Sequence, residues 1–239
     1  MQNPLPRWFA HRGGGALAPE NTLAGIRLAA RMGYRAVEFD VMLSGDGTPV
    51  LIHDETLERT TSGHGEVCAT SDKILFSLDA GGGEPIPHFA EAAALCRELG
   101  LLANVEIKPA TGHEIATAKV VSRLAAELWR DAPGLVLISS FSLAALEVAR
   151  DLAPALWRGA LFEAVPDDWP EILASLQALS LHCDAAQLGD ATLREAQGLG
   201  IPVLCYTVNR PEQASQLLAR GVSGMFTDRL DLFAGEAAA

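Results

Sequence analysis

Two acidic side chains, Glu38 and Asp40, stand two positions apart in the apolar segment Ala36–Met42. Alternate residues of a β-strand point to the same side, so both carboxylates face one way, and the same parity pairs Glu106 with Lys108 further along the chain. Carboxylates on one buried face repel each other and need a cation. Oxygen ligands suit Mg²⁺ or Ca²⁺, so Glu38, Asp40 and Glu106 are predicted to bind one divalent cation. The alternative for each carboxylate is a solvated strand end.

Two histidines each follow an apolar stretch of the chain. His11 comes directly after Arg7–Ala10, and His53 comes directly after Pro49–Ile52. Imidazole titrates near neutral pH, so a pair of histidines can remove one proton and donate another in a single displacement. Either histidine alone would be assigned a structural role. Together with the acidic residues, His11 and His53 are predicted to be catalytic.

An anion site is predicted from Arg12 and the three glycines that follow it, Gly13–Gly15. Glycines let backbone N–H groups approach a ligand closely, and a guanidinium supplies a fork of donors. The parity of Lys108 fits a second contact to a phosphate oxygen, with a structural ion pair to Glu106 as the alternative. Four other histidines are expected at the surface or in loops, with a substrate contact as the alternative for His182; they are His64, His88, His113 and His182.

Short apolar segments alternate along the chain with segments of helical periodicity. The predicted strands are Arg7–Ala10, Ala36–Met42, Leu102–Ile107, Leu135–Ser139, Trp157–Leu161, Leu179–Cys183, Ile201–Thr207 and Gly224–Thr227. The predicted helices are Thr22–Met32, Glu91–Leu99, Ile115–Trp129, Leu143–Leu152, Trp169–Leu179, Ala191–Leu199 and Pro211–Ala219.

The spacing of the strands predicts a parallel (β/α)₈ TIM barrel. From Glu106 onward, successive strand ends lie 20 to 33 residues apart, the length of one strand and one helix. An open, doubly wound sheet is the alternative, but eight such units in this length favour closure. The interval from Asp40 to Glu106 is 66 residues. The excess, about residues 54–88, is predicted to be a small insertion on the catalytic face of one domain spanning 1–239.

Composition excludes several classes of protein. The chain has 18 Lys and Arg against 30 Asp and Glu, a net charge of −12, which argues against a nucleic-acid partner. No apolar run approaches the roughly 20 residues that a membrane-spanning helix needs, so no membrane partner is predicted. The four cysteines are widely separated and suit a reducing compartment. The expectation is a soluble, cytoplasmic protein.

Taken in order, the motifs are typical of one family. They are His11-Arg12-Gly13-Gly14, Pro19-Glu20-Asn21-Thr22, Glu38-Phe39-Asp40-Val41, Val50–Asp54, Leu57–Thr61, Gly63–Val67, Ile86-Pro87, Asn104–Lys108, Tyr206–Asn209 and Gly221–Asp228. The chain resembles the glycerophosphodiester phosphodiesterase family, especially its short bacterial cytosolic members. The resemblance extends from about residue 8 to residue 233. A third glycine, Gly15, and the apolar Met42 and Leu43 depart from the family pattern.

The resemblance implies metal-dependent hydrolysis of a small glycerophosphodiester to an alcohol and glycerol 3-phosphate on a TIM barrel. Carried over to this chain, it implies that His11 and His53 form an acid–base pair and that Arg12 and Lys108 contact the phosphate. It also implies that Glu38, Asp40 and Glu106 bind the metal. Two alternatives remain: a phospholipase-type phosphodiesterase on a related barrel, and a phosphate-ligand sensor without catalysis. The leaving alcohol, the choice between Mg²⁺ and Ca²⁺, the order of the two histidines and the oligomeric state are left open.

Overall fold

Eight parallel strands form a closed barrel in the computed structural model, which describes residues 4–237. With one further, antiparallel strand, the strands of residues 4–237 are β1 (Trp8–Ala10), β2 (Ala36–Leu43), β3 (Pro49–Leu51), β4 (Leu102–Ile107), β5 (Val136–Ser140), β6 (Trp157–Phe162), β7 (Ser180–Asp184), β8 (Val203–Tyr206) and β9 (Gly224–Thr227). β1 pairs in parallel with both β2 and β9, which closes the ring. β3 lies outside the ring and pairs antiparallel with β2. The predicted TIM barrel is confirmed.

Helices follow the strands and, apart from the short second helix, which belongs to the insertion, cover the outside of the barrel. They are α1 (Leu23–Arg31), α2 (Asp72–Leu75), α3 (Phe89–Leu99), α4 (Glu114–Leu128), α5 (Leu143–Leu152), α6 (Trp169–Leu176), α7 (Asp190–Leu199), α8 (Pro211–Arg220) and α9 (Leu230–Ala237). Within residues 4–237, no helix has both the length and the apolar character needed to cross a membrane.

Two layers of apolar side chains hold the barrel together. The outer layer lies between strands and helices, where Phe39 and Val105 pack beside Phe89 of α3 and Trp129, which follows α4. A smaller layer fills the lower interior of the barrel, with Phe9 near Phe226. Strand residues of one parity therefore face the helices, and those of the other parity face the barrel axis. Glu38, Asp40 and Glu106 have the inward parity.

The prediction for α6 was wrong at its C-terminal end. The helix stops at Leu176, and Gln177 takes a left-handed conformation with φ of 50°, whereas the sequence pattern extended the helix to Leu179. Glycine is the usual residue at such a helix end, so nothing at Gln177 in the sequence indicated that the helix ends there. Two helices, α2 and α9, were not predicted.

The insertion lies at the carboxyl end of β2, as predicted. It begins around β3, contains α2, and packs its own apolar residues against Met42 of β2 and Ala110 after β4. Val50, Leu57 and Leu75 form the centre of this small cluster. Because the carboxyl ends of TIM-barrel strands carry the active site, the insertion borders the region where catalysis is expected.

Candidate active site

A cavity of about 190 Å³ opens at the carboxyl end of the barrel. All seven sequence-predicted site residues line it: His11, Arg12, Glu38, Asp40, His53, Glu106 and Lys108. Seven further residues complete the wall: Asn104, Phe141, Leu161, His182, Tyr206, Thr207 and Phe226. The barrel thus brings together residues from the first, second and third βα units.

Glu38, Asp40 and Glu106 form a buried acidic triad. The three residues are 3, 1 and 8 % exposed, and one oxygen from each lies within 4.8 Å of the others. Burial, together with the charge of Asp40, raises the pKa of Glu106 to about 8, and the same two causes raise the pKa of Glu38 well above its ordinary value. One oxygen of Glu38 and one of Glu106 have no hydrogen-bond partner among residues 4–237. Buried carboxylates with free oxygens are suited to hold a metal ion.

Backbone and amide donors fix two members of the acidic triad. The backbone N–H of Arg12 donates to Glu38 Oε2 at 2.9 Å. The side-chain amide of Asn21 donates to Asp40 Oδ2 at 2.9 Å, and its carbonyl accepts from the backbone N–H of Asp40 at 3.0 Å. Arg12 and Asn21 both have positive φ, 49° and 56°. Non-glycine residues seldom adopt this conformation, and at functional sites it aims groups that an ordinary turn would not.

His11 is held by a carboxylate from the other end of the chain. Its Nδ1 lies 2.6 Å from Asp228 Oδ1, and its Nε2 lies 3.8 Å from Glu38 Oε2. Asn209 in turn donates to Asp228 Oδ2 at 2.8 Å. Burial alone would raise the pKa of Asp228, but the hydrogen bond and charge of His11 outweigh it and lower the pKa. An ionised carboxylate on Nδ1 leaves Nε2 directed at the acidic triad.

His53 is held in a similar way by its neighbour in the sequence. Its Nδ1 lies 2.6 Å from Asp54 Oδ1, and its Nε2 lies 2.8 Å from the ammonium of Lys108. An ammonium has no lone pair and must donate, so Nε2 is the unprotonated nitrogen. Burial is the main cause that lowers the pKa of His53. His53 is therefore a neutral imidazole with its proton on the Asp54 side.

Arg59 of the insertion ties His53 to the loop after β1. It donates to both oxygens of Glu20 at 2.8 Å and to Asp54 Oδ1 at 2.9 Å. Its hydrogen bond to Asp54 is the main cause that lowers the pKa of Asp54. Arg12 Nη1 donates to the same Glu20 at 3.0 Å. One ionic network therefore connects the loop after β1, which carries Arg12 and Glu20, with the insertion, which carries Asp54 and Arg59.

Two cations stand over the acidic triad. Arg12 Nε lies 3.9 Å from Asp40 Oδ2, and Lys108 Nζ lies 3.6 Å from Glu106 Oε1 and 3.8 Å from Asp40 Oδ1. This placement is compatible with both interpretations of Lys108, the contact to a phosphate oxygen and the structural ion pair with Glu106. Positive charge on the cavity side of the acidic triad suits a bound anion.

The third glycine of the Gly13–Gly15 run has a local explanation. Gly15 has φ of 54°, and a Cβ there would collide with the backbone oxygen of Asp228. A Cβ on Gly14 would press on Gly25 at the start of α1. The run lets three segments of chain meet behind His11, so its departure from the family pattern concerns packing.

Sequence reasoning missed several residues of the site. Asp228 and Asn209 lie in motifs that resemble the family, but nothing in their spacing indicated that they hold His11. The expectation that His182 lies at the surface or in a loop was wrong, because it is a completely buried residue of β7. Phe141 and Tyr206 were not missed: they lie at or just after the ends of the fourth and seventh predicted strands, where the sequence indicates either wall residues around the leaving group or ordinary core packing. Both line the cavity, edge to face, with ring centroids 5.9 Å apart.

The chain matches known proteins over nearly its whole length. Residues 11–232 match the model of the glycerophosphoryl diester phosphodiesterase family. A glycerophosphodiester phosphodiesterase of Caldanaerobacter subterraneus is 32 % identical over 92 % of this chain and 93 % of the relative.

Solved structures show the same likeness. An Oleispira antarctica phosphodiesterase in complex with the product sn-glycerol-3-phosphate is 36 % identical, covers 98 % of this chain and 96 % of its own, and has a TM-score of 0.90. A glycerophosphodiester phosphodiesterase from Thermotoga maritima is 26 % identical, covers 98 and 100 %, and has a TM-score of 0.79.

Fold and site together define a TIM-barrel phosphodiesterase, a hydrolytic enzyme. The chain belongs to the glycerophosphoryl diester phosphodiesterase family.

Proposed function

We propose that the protein hydrolyses small glycerophosphodiesters to an alcohol and glycerol 3-phosphate, using one divalent metal ion and a pair of histidines. The observation that carries the proposal is the convergence of His11 and His53, each bound to a carboxylate through Nδ1, on one cavity with the acidic triad. The product bound to the Oleispira antarctica relative supports the same substrate class. Such a reaction belongs to the turnover of lipid-derived glycerol compounds.

The chemistry and the burial of the acidic triad fit a metal ion. Glu38, Asp40 and Glu106 offer only oxygen ligands, and two of the oxygens have no hydrogen-bond partner among residues 4–237. This donor set suits Mg²⁺ or Ca²⁺. When bound, the ion supplies charge that polarises the phosphate and stabilises negative charge on its oxygens.

Arg12 and Lys108 bind and orient the phosphate in this proposal. Both face the cavity beside the acidic triad, and Arg12 can contact two phosphate oxygens at once through its planar guanidinium. Lys108 would exchange its contact with His53 Nε2 for a phosphate oxygen. That exchange frees the lone pair of His53 to take part in proton transfer.

The two histidines move the protons. One removes a proton from the nucleophile, which is water or the substrate's own glycerol hydroxyl, and the other protonates the departing alkoxide. Asp228 and Asp54 hold the two rings so that each Nε2 faces the cavity. The same carboxylates stabilise the imidazolium that forms when a histidine accepts a proton.

The test is release of glycerol 3-phosphate from a panel of glycerophosphodiesters carrying choline, ethanolamine, glycerol or inositol, with Mg²⁺, with Ca²⁺ and with chelator. We expect His11→Ala and His53→Ala each to lower turnover by about 10²-fold or more. The exposed His64 provides the control, and His64→Ala should retain parental turnover.

Two results would overturn the proposal. Failure of the parent to release glycerol 3-phosphate from any panel member would favour either a phospholipase-type activity, visible on long-chain substrates, or a sensor that binds without turnover. Turnover within severalfold of the parent in either alanine variant would show that histidine to be structural.

A further inference from the structure

The unpartnered polar atoms of the protein concentrate in the cavity. Among residues 4–237, nine buried side-chain atoms have no hydrogen-bond partner, and five belong to residues that line the cavity. Three of these, on Arg12, Glu38 and Glu106, are accounted for by the proposed phosphate and metal sites. Asn104 Oδ1 and His182 Nδ1 are not. Buried polar atoms normally have a partner, so these two need a separate explanation.

The ring of His182 is held in place by the residues around it. The residue is completely buried, its Nε2 lies 2.9 Å from Ser180 Oγ, and its Nδ1 is the unpartnered atom. A Cβ on Gly159 of β6 would lie only 2.5 Å from Nε2, so this glycine reserves the space for the ring. Burial lowers the pKa of His182 to about 3, which keeps the imidazole neutral. A neutral imidazole carries one N–H donor and one acceptor nitrogen, so it can form hydrogen bonds with an uncharged polar group.

Asn104 is fixed through its other end. It is 1 % exposed and donates through Nδ2 to Ser139 Oγ at 2.8 Å. That contact orients the amide and leaves its oxygen as an acceptor without a donor among residues 4–237. Asn104 stands two residues before Glu106 on β4, so it lies deeper in the barrel than the acidic triad member on the same strand.

The two groups call for a ligand that is neutral and forms hydrogen bonds in both directions. Asn104 Oδ1 needs a donor, while His182 Nδ1 donates or accepts according to which nitrogen carries the proton. An alcohol hydroxyl both donates and accepts. The surrounding wall, with Leu161 and Phe226, is apolar and would surround the carbon chain of such an alcohol.

We propose that Asn104 and His182 form a hydroxyl-binding floor that receives the terminal hydroxyl of the glycerol moiety; this inference rests on the proposed function. A phosphodiester held at the acidic triad directs one alcohol inward and the other outward. The part of the cavity beside Asn104 and His182 is lined by Leu161 and Phe226, and suits the part of the substrate that does not vary. Phe141, which is 47 % exposed, stands at the outer side and faces the variable alcohol.

The test compares two small phosphates by calorimetry on the Mg²⁺-loaded protein. Glycerol 3-phosphate carries the terminal hydroxyl, whereas 2-hydroxypropyl phosphate lacks it and is otherwise the same. We expect the parent to bind glycerol 3-phosphate at least about tenfold more tightly, since a site built for a hydroxyl rejects an analogue without one. Equal affinities would overturn the hydroxyl-binding floor.

Variants assign the preference to His182. His182→Leu and His182→Gln remove the polar atom at the position of Nδ1 and should abolish the preference, while His182→Asn keeps a polar atom there and should retain part of it. Gly159→Ala should reduce the preference by displacing the ring, and it keeps the experiment decisive where a His182 variant does not fold. His64→Leu, at an exposed position, is the control. Variants that weaken both ligands equally would show His182 to be structural.

A parallel assay separates this inference from the proposed function. Release of glycerol 3-phosphate from glycerophosphocholine by the parent, combined with equal binding of the two phosphates, would sustain the function and overturn the hydroxyl-binding floor. A clear binding preference without any release would sustain the hydroxyl-binding floor and overturn the function.

Discussion

Asp228 Oδ1 lies 2.6 Å from His11 Nδ1, although the two residues are 217 positions apart along the chain. His11 follows the first strand of the barrel and Asp228 follows the last, and β1 pairs with β9 to bring them together. Closure of the barrel therefore completes a carboxylate–histidine pair at the candidate active site. The pair matches that of Asp54 and His53, where the two residues are neighbours in the sequence.

Asp228→Asn is expected to lower kcat by about 10²-fold or more with little change in KM, because an amide no longer stabilises the protonated ring or fixes its tautomer. Steady-state kinetics on a glycerophosphodiester would measure kcat and KM separately. Asp231→Asn is the matched control, since Asp231 is an exposed residue paired with Arg229 on the same segment. A kcat like that of the parent would show that Asp228 serves packing only.

Arg12→Lys should lower kcat/KM by roughly tenfold to a hundredfold, because an ammonium cannot reproduce the two-point contact of a guanidinium with phosphate. Both residues are L-amino acids with a Cβ, so the positive φ at this position strains them alike. Arg123→Lys, on the exposed face of α4, should leave kcat/KM unchanged. Unaltered kinetics in the Arg12 variant would remove Arg12 from the phosphate site.

Removal of metal should lower both activity and melting temperature. Binding to the folded state alone stabilises it by RT ln(1 + [L]/Kd), about 2.7 kcal/mol at a hundredfold excess over Kd. Chelation should reverse that gain, and Mg²⁺ or Ca²⁺ should restore both properties. Scanning calorimetry and activity, measured on the same samples, check the prediction.

Glu106→Gln should blunt the recovery by metal, since it keeps the shape of the side chain but removes one negative ligand. Glu98→Gln, at an exposed position of α3, is the control. Slow metal release is addressed by refolding the protein from denaturant without metal. A refolded, chelated parent with full activity and unchanged melting temperature would contradict the metal site.

His182 should make the protein sensitive to acid. Its pKa is about 3 in the folded protein against an ordinary value of 6.5, so the unfolded chain binds more protons between these values. The free energy of unfolding therefore falls as pH drops below 6.5. Urea unfolding at pH 7 and pH 5 should show that the stability advantage of the parent over His182→Asn shrinks by on the order of 1–2 kcal/mol.

The comparison has its own control. His64→Asn, at an exposed position, should differ from the parent by the same amount at both pH values. A parent–His182→Asn difference that does not change with pH would mean that the imidazole reaches solvent or a proton donor in the folded protein.

Much of the predicted fold and site followed from local rules of polypeptide geometry. The parity of a strand places Glu38 and Asp40 on one side whatever the rest of the fold does, and that rule needs only the sequence. The regular strand spacing indicated the barrel, whose geometry collects strand ends at one face. The adjacency of His53 and Asp54 was likewise visible, since neighbours in sequence are neighbours in space.

The remaining contacts depended on how distant segments approach one another. Arg59 meets Glu20 across 39 positions, through an insertion whose path no periodicity describes. His182 has the inward parity, but its burial and its unpartnered Nδ1 arise from how deeply it lies in the barrel and from the absence of a side chain on Gly159. The sequence by itself determined which residues face the barrel axis and in what order. Only the tertiary structure decided which of them touch, because side-chain contacts follow from closure of the ring and from loop conformations that local propensity does not encode.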